Sequence, residues 1–190
     1  MFATLLDTSV LWPSLQRDFL LSLAAEGLYR PLWSEAILEE LGIAQRAKLM
    51  QRGTSAVEAQ QRVDRLISQM TSAFADAVVT GWEPLEGIYG LPDPNDEHVV
   101  AAAVVGGAGA IVTANLKDFP PDRVPGHIEV LGPAVFASNT AHVDPAQAAR
   151  AVRRMAGRFS DPPQAPDEVL AAIGDRYKMG EVVEILTPYL

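Results

Sequence analysis

The stretch Phe2-Ala3-Thr4-Leu5-Leu6-Asp7-Thr8-Ser9 decides the fold class. A short apolar run stops abruptly on a carboxylate, as a buried strand does when it empties into a polar loop. Leu28 to Trp33 repeats the pattern, and Ser34 follows it as a good N-cap for a helix through Glu35-Ala-Ile-Leu-Glu-Glu-Leu41. Ala110 to Thr113 is a third such strand, running into the loop Ala114-Asn115-Leu-Lys117-Asp118-Phe-Pro120. Ala77 to Trp82 and Ile128 to Leu131 are weaker strand candidates.

The segments between these strands read as helices. Ser14 or Asp18 caps one that runs to Glu26 and closes at Gly27. Thr54-Ser55-Ala-Val-Glu58 resembles a capping box ahead of a long helix carrying Val63, Leu66, Ile67 and Met70. Pro92-Asp93-Pro94-Asn95-Asp96 is a turn cluster, and Glu97 to Val105 is a buried helix stopped by Gly106-Gly107. Strands alternating with helices predict an α/β fold, a three-layer α/β/α sandwich around a mostly parallel sheet. From about Thr140 the character changes. Asp144 caps an Ala/Arg-rich helix to Arg158, a Pro-rich break follows at Asp161-Pro162-Pro163, and helical segments near Asp167–Asp175 and Glu181–Leu190 close the chain. The expected division is therefore an α/β domain over 1–139 and a helical C-terminal extension over 140–190.

Composition narrows the function. Cysteine is absent, which removes disulfides, thiolate metal sites and cysteine nucleophiles together. No apolar run approaches the roughly 18 residues of a membrane span, and no basic region precedes the first apolar stretch, so a cytoplasmic protein without a signal peptide is expected. The formal charge of −9 argues against a protein that coats nucleic acid with a broad basic surface. Residues 1–139 hold 9 Lys/Arg against 17 Asp/Glu, whereas residues 140–190 hold 6 against 7. The acidity belongs to the α/β part, where a bound divalent cation would convert it into a positive face for phosphate.

In an open α/β sheet, ligands bind beyond the carboxyl ends of the strands. Asp7, the helix after Ser34, and the Asn115/Asp118 loop all fall there, and Asp96 begins the helix that feeds the Ala110 strand. Each has a plainer reading. Asp7 fits a turn or cap, Asp93 or Asp96 fits a helix cap, and Asn115 and Asp118 fit loop-shaping roles. Within the Ser34 helix, Ile37, Leu38 and Leu41 define the buried arc at about 100° per residue. Glu40 lies roughly 105° from the centre of that arc and Glu39 about 155° away, facing solvent. Glu35 sits on the opposite shoulder at a similar angle to Glu40, so geometry leaves both open. A spacing of three puts Asp93 and Asp96 near one helix terminus. His98, His127 and His142 have no metal-binding spacing, and His98 reads as a packed residue of an apolar helix.

Four stretches in this order resemble the PIN-domain ribonuclease family, in particular the VapC-type toxins of type II toxin–antitoxin pairs. Leu5-Leu6-Asp7-Thr8-Ser9-Val10-Leu11 is similar to the first strand with its leading Asp. Trp33-Ser34-Glu-Ala-Ile-Leu-Glu-Glu40-Leu41 is similar to the second motif, whose register selects Glu40 over Glu35 and Glu39. Asp96-Glu-His-Val-Val-Ala-Ala-Ala103 is similar to the Asp-led alanine-rich helix, and Ile111-Val-Thr113-Ala-Asn115-Leu-Lys-Asp118-Phe119 to the closing Thr-x-Asn-x-x-Asp-Phe motif. One departure matters: Asn115 stands where some members carry a fourth carboxylate, leaving Asn115 or Asp118 to complete the site.

The resemblance implies phosphodiester hydrolysis of RNA with Asp7, Glu40, Asp96 and Asp118 as the catalytic residues. Asp7 and Asp96 would hold a principal metal, Glu40 would reach it directly or through water, and Asp93 would contribute to the same or a second ion. Ser9, Thr113 and Asn115 would support them, with Ser9 and Thr8 orienting Asp7 or metal-bound waters. An all-oxygen donor set suits Mg²⁺ or Mn²⁺ better than Zn²⁺. A small antitoxin partner and a homodimer are further implications. The basic residues Arg46, Lys48, Arg52, Arg62 and Arg65 read first as solvated helix faces, and the Arg150, Arg154, Arg158 stripe fits RNA, an acidic partner or a polar face equally. Three other readings compete. A haloacid-dehalogenase-type phosphatase would want an Asp where Ser9 stands. The others are a phospho-accepting domain using Asp7 and a non-catalytic α/β binding module. A serine hydrolase lacks its Gly-x-Ser-x-Gly elbow.

Overall fold

The computed structural model describes residues 2–190. Five strands form one all-parallel sheet: β1 (Ala3–Leu6), β2 (Arg30–Ser34), β3 (Val78–Val79), β4 (Ala110–Val112) and β5 (Glu129–Leu131), in the order β3-β2-β1-β4-β5. β1 is central and fully buried, pairing Leu5 with Leu32 on one side and Leu6 with Val112 on the other. The strand order reverses between β1 and β4, and an open parallel sheet leaves a crevice beyond the strand ends at that point.

Helices cover both faces. After the one-turn helix α1 (Thr8–Leu11) come α2 (Ser14–Ala25), α3 (Glu35–Gln51), α4 (Ala56–Ala73) and α5 (Glu97–Val105). The expected caps form on α3 and α4, but neither Ser14 nor Asp18 caps α2, which follows Pro13 with no side-chain cap. Ser34 Oγ accepts from the Ile37 N–H at 3.2 Å, and Ser55 Oγ from the Glu58 N–H at 3.2 Å. Gly106 stops α5 where a larger residue would not fit, since a Cβ there would stand 2.8 Å from Val79 Cγ2 and 2.9 Å from Leu32 Cδ1.

Four further helices complete the chain: α6 (Pro133–Val143), α7 (Pro145–Ala156), α8 (Pro166–Tyr177) and α9 (Gly180–Leu186). The expected division at 139/140 falls inside α6, which the sequence pattern did not separate from its surroundings. Val152, Met155, Val169, Ile173, Val182 and Leu186 join the same hydrophobic cluster as the sheet residues. The arginine stripe on and after α7 finds acidic partners within the chain while staying at the surface. Glu26, at the end of α2, receives Arg150 Nε at 3.1 Å and Arg154 Nη1 at 2.7 Å, while Arg158 reaches Asp18 at 2.7 Å and Ser22 at 3.0 Å. Gln147 and Arg153 donate to the backbone carbonyls of Glu26 and Tyr189. These bonds fasten α7 across α2.

Candidate functional site

The sheet delivers Asp7 to the reversal point. Its N–H continues the ladder, donating to Val112 O at 3.1 Å, and Thr113 N–H donates to Leu131 O at 3.0 Å. The side chains of Asp7 and Thr113 therefore lie side by side at the carboxyl ends of β1 and β4. Thr113 Oγ1 donates to Asp7 Oδ2 at 2.7 Å and Ser9 Oγ donates to the same oxygen at 2.6 Å. Ser9 Oγ in turn accepts the Ala114 N–H at 2.9 Å, and Thr113 Oγ1 accepts the Asn115 N–H at 3.0 Å. Two hydroxyls thus lock one carboxylate oxygen of Asp7, which is only 5% exposed. Ser9 and Thr113, read from the sequence as supporting residues, bond Asp7 directly, and Asn115 joins them through its backbone N–H.

Asp93 and Asp96 divide their work. Asp93 caps the 3-10 turn Pro94–Asp96, accepting the N–H and side-chain amide of Asn95, both at 2.9 Å. Asp96 occupies the cap position of α5 yet makes no capping hydrogen bond. Burial and the charges of Asp7, Asp93 and Asp118 push the Asp96 carboxyl up to about 6, and the nearby His98 opposes them. The charges of Asp7, Asp93 and Asp118 are thus felt at Asp96. Asp118, in the 3-10 turn Leu116–Asp118, has Lys117 Nζ at 3.9 Å as its ion-pair neighbour.

Glu40 joins from α3. Glu35 and Glu39 are exposed, while Glu40 turns inward. Its Oε2 accepts Thr8 Oγ1 at 2.6 Å and its Oε1 meets His98 Nε2 at 3.0 Å. Thr8 therefore orients Glu40, where the sequence pointed it at Asp7 or at water. Burial would raise the Glu40 carboxyl, but the hydrogen bonds from His98 and Thr8 hold it below the usual range. Burial likewise works against His98, and the Glu40 bond with the charges of Glu40, Asp7 and Glu86 outweighs it and raises the imidazole. His98 is 5% exposed, lies 5.8 Å from the Trp82 ring, and keeps its buried Nδ1 without a partner. A residue that read as mere packing is the hydrogen-bond partner of Glu40. The only sequence signal for it was its position two residues after Asp96.

Glu97, also missed, is 3% exposed and accepts the backbone N–H groups of Tyr89 at 3.0 Å and Leu91 at 2.8 Å. Burial opposes its charge, but these amides hold the carboxyl below the ordinary value. Glu97 thereby fixes the loop that carries Asp93.

The donor set suits a hard cation. It is all oxygen, Asp7 keeps Oδ1 outside its hydroxyl lock, and the Asp96 charge lacks a lysine or arginine partner among the described residues. Yet among the described residues no three or more His, Asp or Glu side chains stand as a preformed ligand group. Three of the carboxylates expected to form one are instead held by donors of their own, Asp7 by Ser9 and Thr113, Asp93 by Asn95, and Glu40 by Thr8 and His98, while among the described residues Asp96 has none. Like charges in proximity adopt such partners because each hydroxyl or amide offsets part of their repulsion.

This is a carboxylate-centred α/β domain with its acidic site at the strand reversal. A family model described as PIN domain matches residues 3–117, more than half of the chain, and the chain belongs to that family. It is also similar to a Mycobacterium tuberculosis protein provisionally named ribonuclease VapC50, 37% identical over 82 residues, which are 43% of this chain and 48% of that protein. The match spans about half the length of that curated relative. No solved structure matches the chain. Among the described residues, no helix is long and apolar enough to cross a membrane.

Proposed function

We propose that the chain is an endoribonuclease dependent on Mg²⁺ or Mn²⁺, acting as the toxin of a toxin–antitoxin pair. One observation carries the reading: Asp96 has no cap bond and no lysine or arginine partner among the described residues, and burial, together with the charges of Asp7, Asp93 and Asp118, raises its carboxyl to about 6. A fold keeps such uncompensated repulsion when a cation relieves it in the working state. The resemblance to VapC-type proteins supports RNA as the substrate. It also underlies the further elements of the reading, a small antitoxin partner, a homodimer and a cytoplasmic site of action.

Asp7 and Asp96 would hold the ion, with Asp93 and Asp118 beside them and Glu40 at the outer edge. When bound, the cation supplies positive charge to the scissile phosphate and lowers the pKa of water. The side chains do the positioning. Ser9 and Thr113 fix Asp7 so that one carboxylate oxygen stays presented to the crevice. His98 and Thr8 hold Glu40, and its bond to His98 favours the proton on Nε2. Thr113 also anchors the Asn115 N–H, which sets the turn that carries Asp118. No side-chain nucleophile is required, and Ser9 is committed to Asp7.

The test is cleavage of single-stranded RNA by the purified protein in Mg²⁺, Mn²⁺ and EDTA, with p-nitrophenyl phosphate as a monoester control. RNA cleavage with either cation and none in EDTA supports the reading. Hydrolysis of the monoester without RNA cleavage would replace it with the phosphatase alternative.

A further inference from the structure

The acidic site has a basic, aromatic flank. Helix α1 lies along α3, joined by the Thr8 to Glu40 bond at one end and by Gln45 Nε2 donating to Trp12 O at 2.6 Å at the other. Trp12 is 41% exposed despite its size, and Lys48 Nζ sits 4.6 Å above its ring. Arg17 reaches the same corner, donating to Leu11 O at 2.7 Å. Burial and the charges of Arg52 and Arg17 hold the Lys48 ammonium below the ordinary lysine value. Lys48 thus feels both arginines, and none of the three is ion-paired among the described residues. Asp18, which acts on Arg17, is itself bound by Arg158.

One cation in the last turn would complement the α3 dipole. A lysine over an exposed indole, with Arg17 bonded to the carbonyl of the residue before it and Arg52 acting on that lysine, exceeds that need in a chain of net charge −9. Lys48 stands eight residues beyond Glu40 on one helix, about 12 Å along its axis, which is a reach of a few nucleotides. We propose that Trp12 and Lys48, with Arg17 alongside, form a platform for single-stranded RNA entering the carboxylate site, a base stacking on the indole and phosphates meeting the cations. Aromatic rings interleaved with cations recognise single strands in this way, because every base has a face to stack. The platform rests on the ribonuclease reading and names the surface through which that site would grip its substrate.

The experiment measures binding of a short fluorescein-labelled single-stranded RNA by anisotropy in EDTA, for the wild type, Trp12→Leu and Lys48→Gln, across a salt series. RNA cleavage in Mn²⁺ is followed in parallel. Trp12→Leu should weaken binding at least about fivefold, the loss expected for one base stack. Lys48→Gln should lower the slope of log affinity against log salt by about 0.7, one phosphate contact to a single strand. Lys48 is at the surface, so its variant remains informative if Trp12→Leu folds poorly. Unchanged affinity and slope in variants of an enzyme that still binds and cleaves RNA would overturn the platform alone. A wild type that neither binds nor cleaves RNA would overturn the platform and the ribonuclease reading together. Tighter binding of a polyglutamate peptide than of RNA, lost in Lys48→Gln, would overturn the platform in favour of an acidic protein partner.

Discussion

Replacing Asp96 by Asn should make the protein more stable while destroying its activity. The Asp96 carboxyl rises from an ordinary 3.8 to about 6 in the fold. The unfolded chain therefore gives up this proton more readily than the native one. The sign follows: the penalty is absent below 3.8, appears as pH rises toward 6, and is complete above it. At 1.36 kcal/mol per unit of pKa, the full shift would be worth about 3 kcal/mol. Asp96 is half-exposed, and solvent screening reduces this to ~1 kcal/mol at neutral pH. For a chain of this length, that corresponds to a melting temperature about 2–4 °C higher for Asp96→Asn in EDTA. The gain should shrink to nothing near pH 4, where wild-type Asp96 is already protonated. Differential scanning fluorimetry of both proteins across pH, in EDTA and again with Mn²⁺, reads the effect directly. In Mn²⁺ the order should invert, because the wild type gains binding energy that the variant has lost. A variant equally stable or less stable at neutral pH, or a gain independent of pH, would refute the claim that uncompensated charge is stored at this helix terminus.

Other perturbations test the supporting parts. Thr113→Val removes a hydroxyl that donates to Asp7 and accepts from the Asn115 N–H, and should lower urea stability by about 1–3 kcal/mol and depress RNA cleavage. Gly106→Ala drives a Cβ into Val79 and Leu32, and should cost about 1–3 kcal/mol by the same assay without altering the site's chemistry. Glu40→Gln removes the charge facing His98. The Glu40 carboxyl is held below 4.5 and the His98 imidazole above 6.5. Stability from the pair is therefore lost as pH falls through the first value or rises through the second. The difference in urea midpoint between Glu40→Gln and wild type should be largest between these limits and shrink in alkaline buffer.

Much of the frame was legible because local rules agreed with the tertiary fold. Ser34, Ser55 and Gly106 mark helix ends where they were expected, and the strands ending at Asp7, Ser34 and Thr113 are parallel and adjacent. Glu40 turns inward while Glu35 and Glu39 are exposed; helix position set Glu39 apart but left Glu35 and Glu40 open, and only the motif register chose between them. What the sequence withheld were pairings between distant segments. Nothing near Thr8 or His98 announces that each bonds Glu40, 32 and 58 residues away. Glu97 looks like a first-turn acid suited to the helix dipole, yet it turns inward to bind the amides of the preceding loop. The regular arginines of α7 read as a free face because their partners, Glu26 and Asp18, lie more than a hundred residues earlier. Helix α6 was missed because Pro133 to Val143 lacks a strong polar face to set its period.

Calorimetric titration of Mn²⁺ into the wild type, Asp7→Asn and Asp96→Asn bears most directly on the central claim, that folding gathers these aspartates to seat a hard cation. Saturable uptake at or below millimolar Mn²⁺ by the wild type, lost in both folded variants, is the predicted result. Absence of uptake by the wild type, or uptake undiminished in Asp7→Asn and Asp96→Asn, would contradict it.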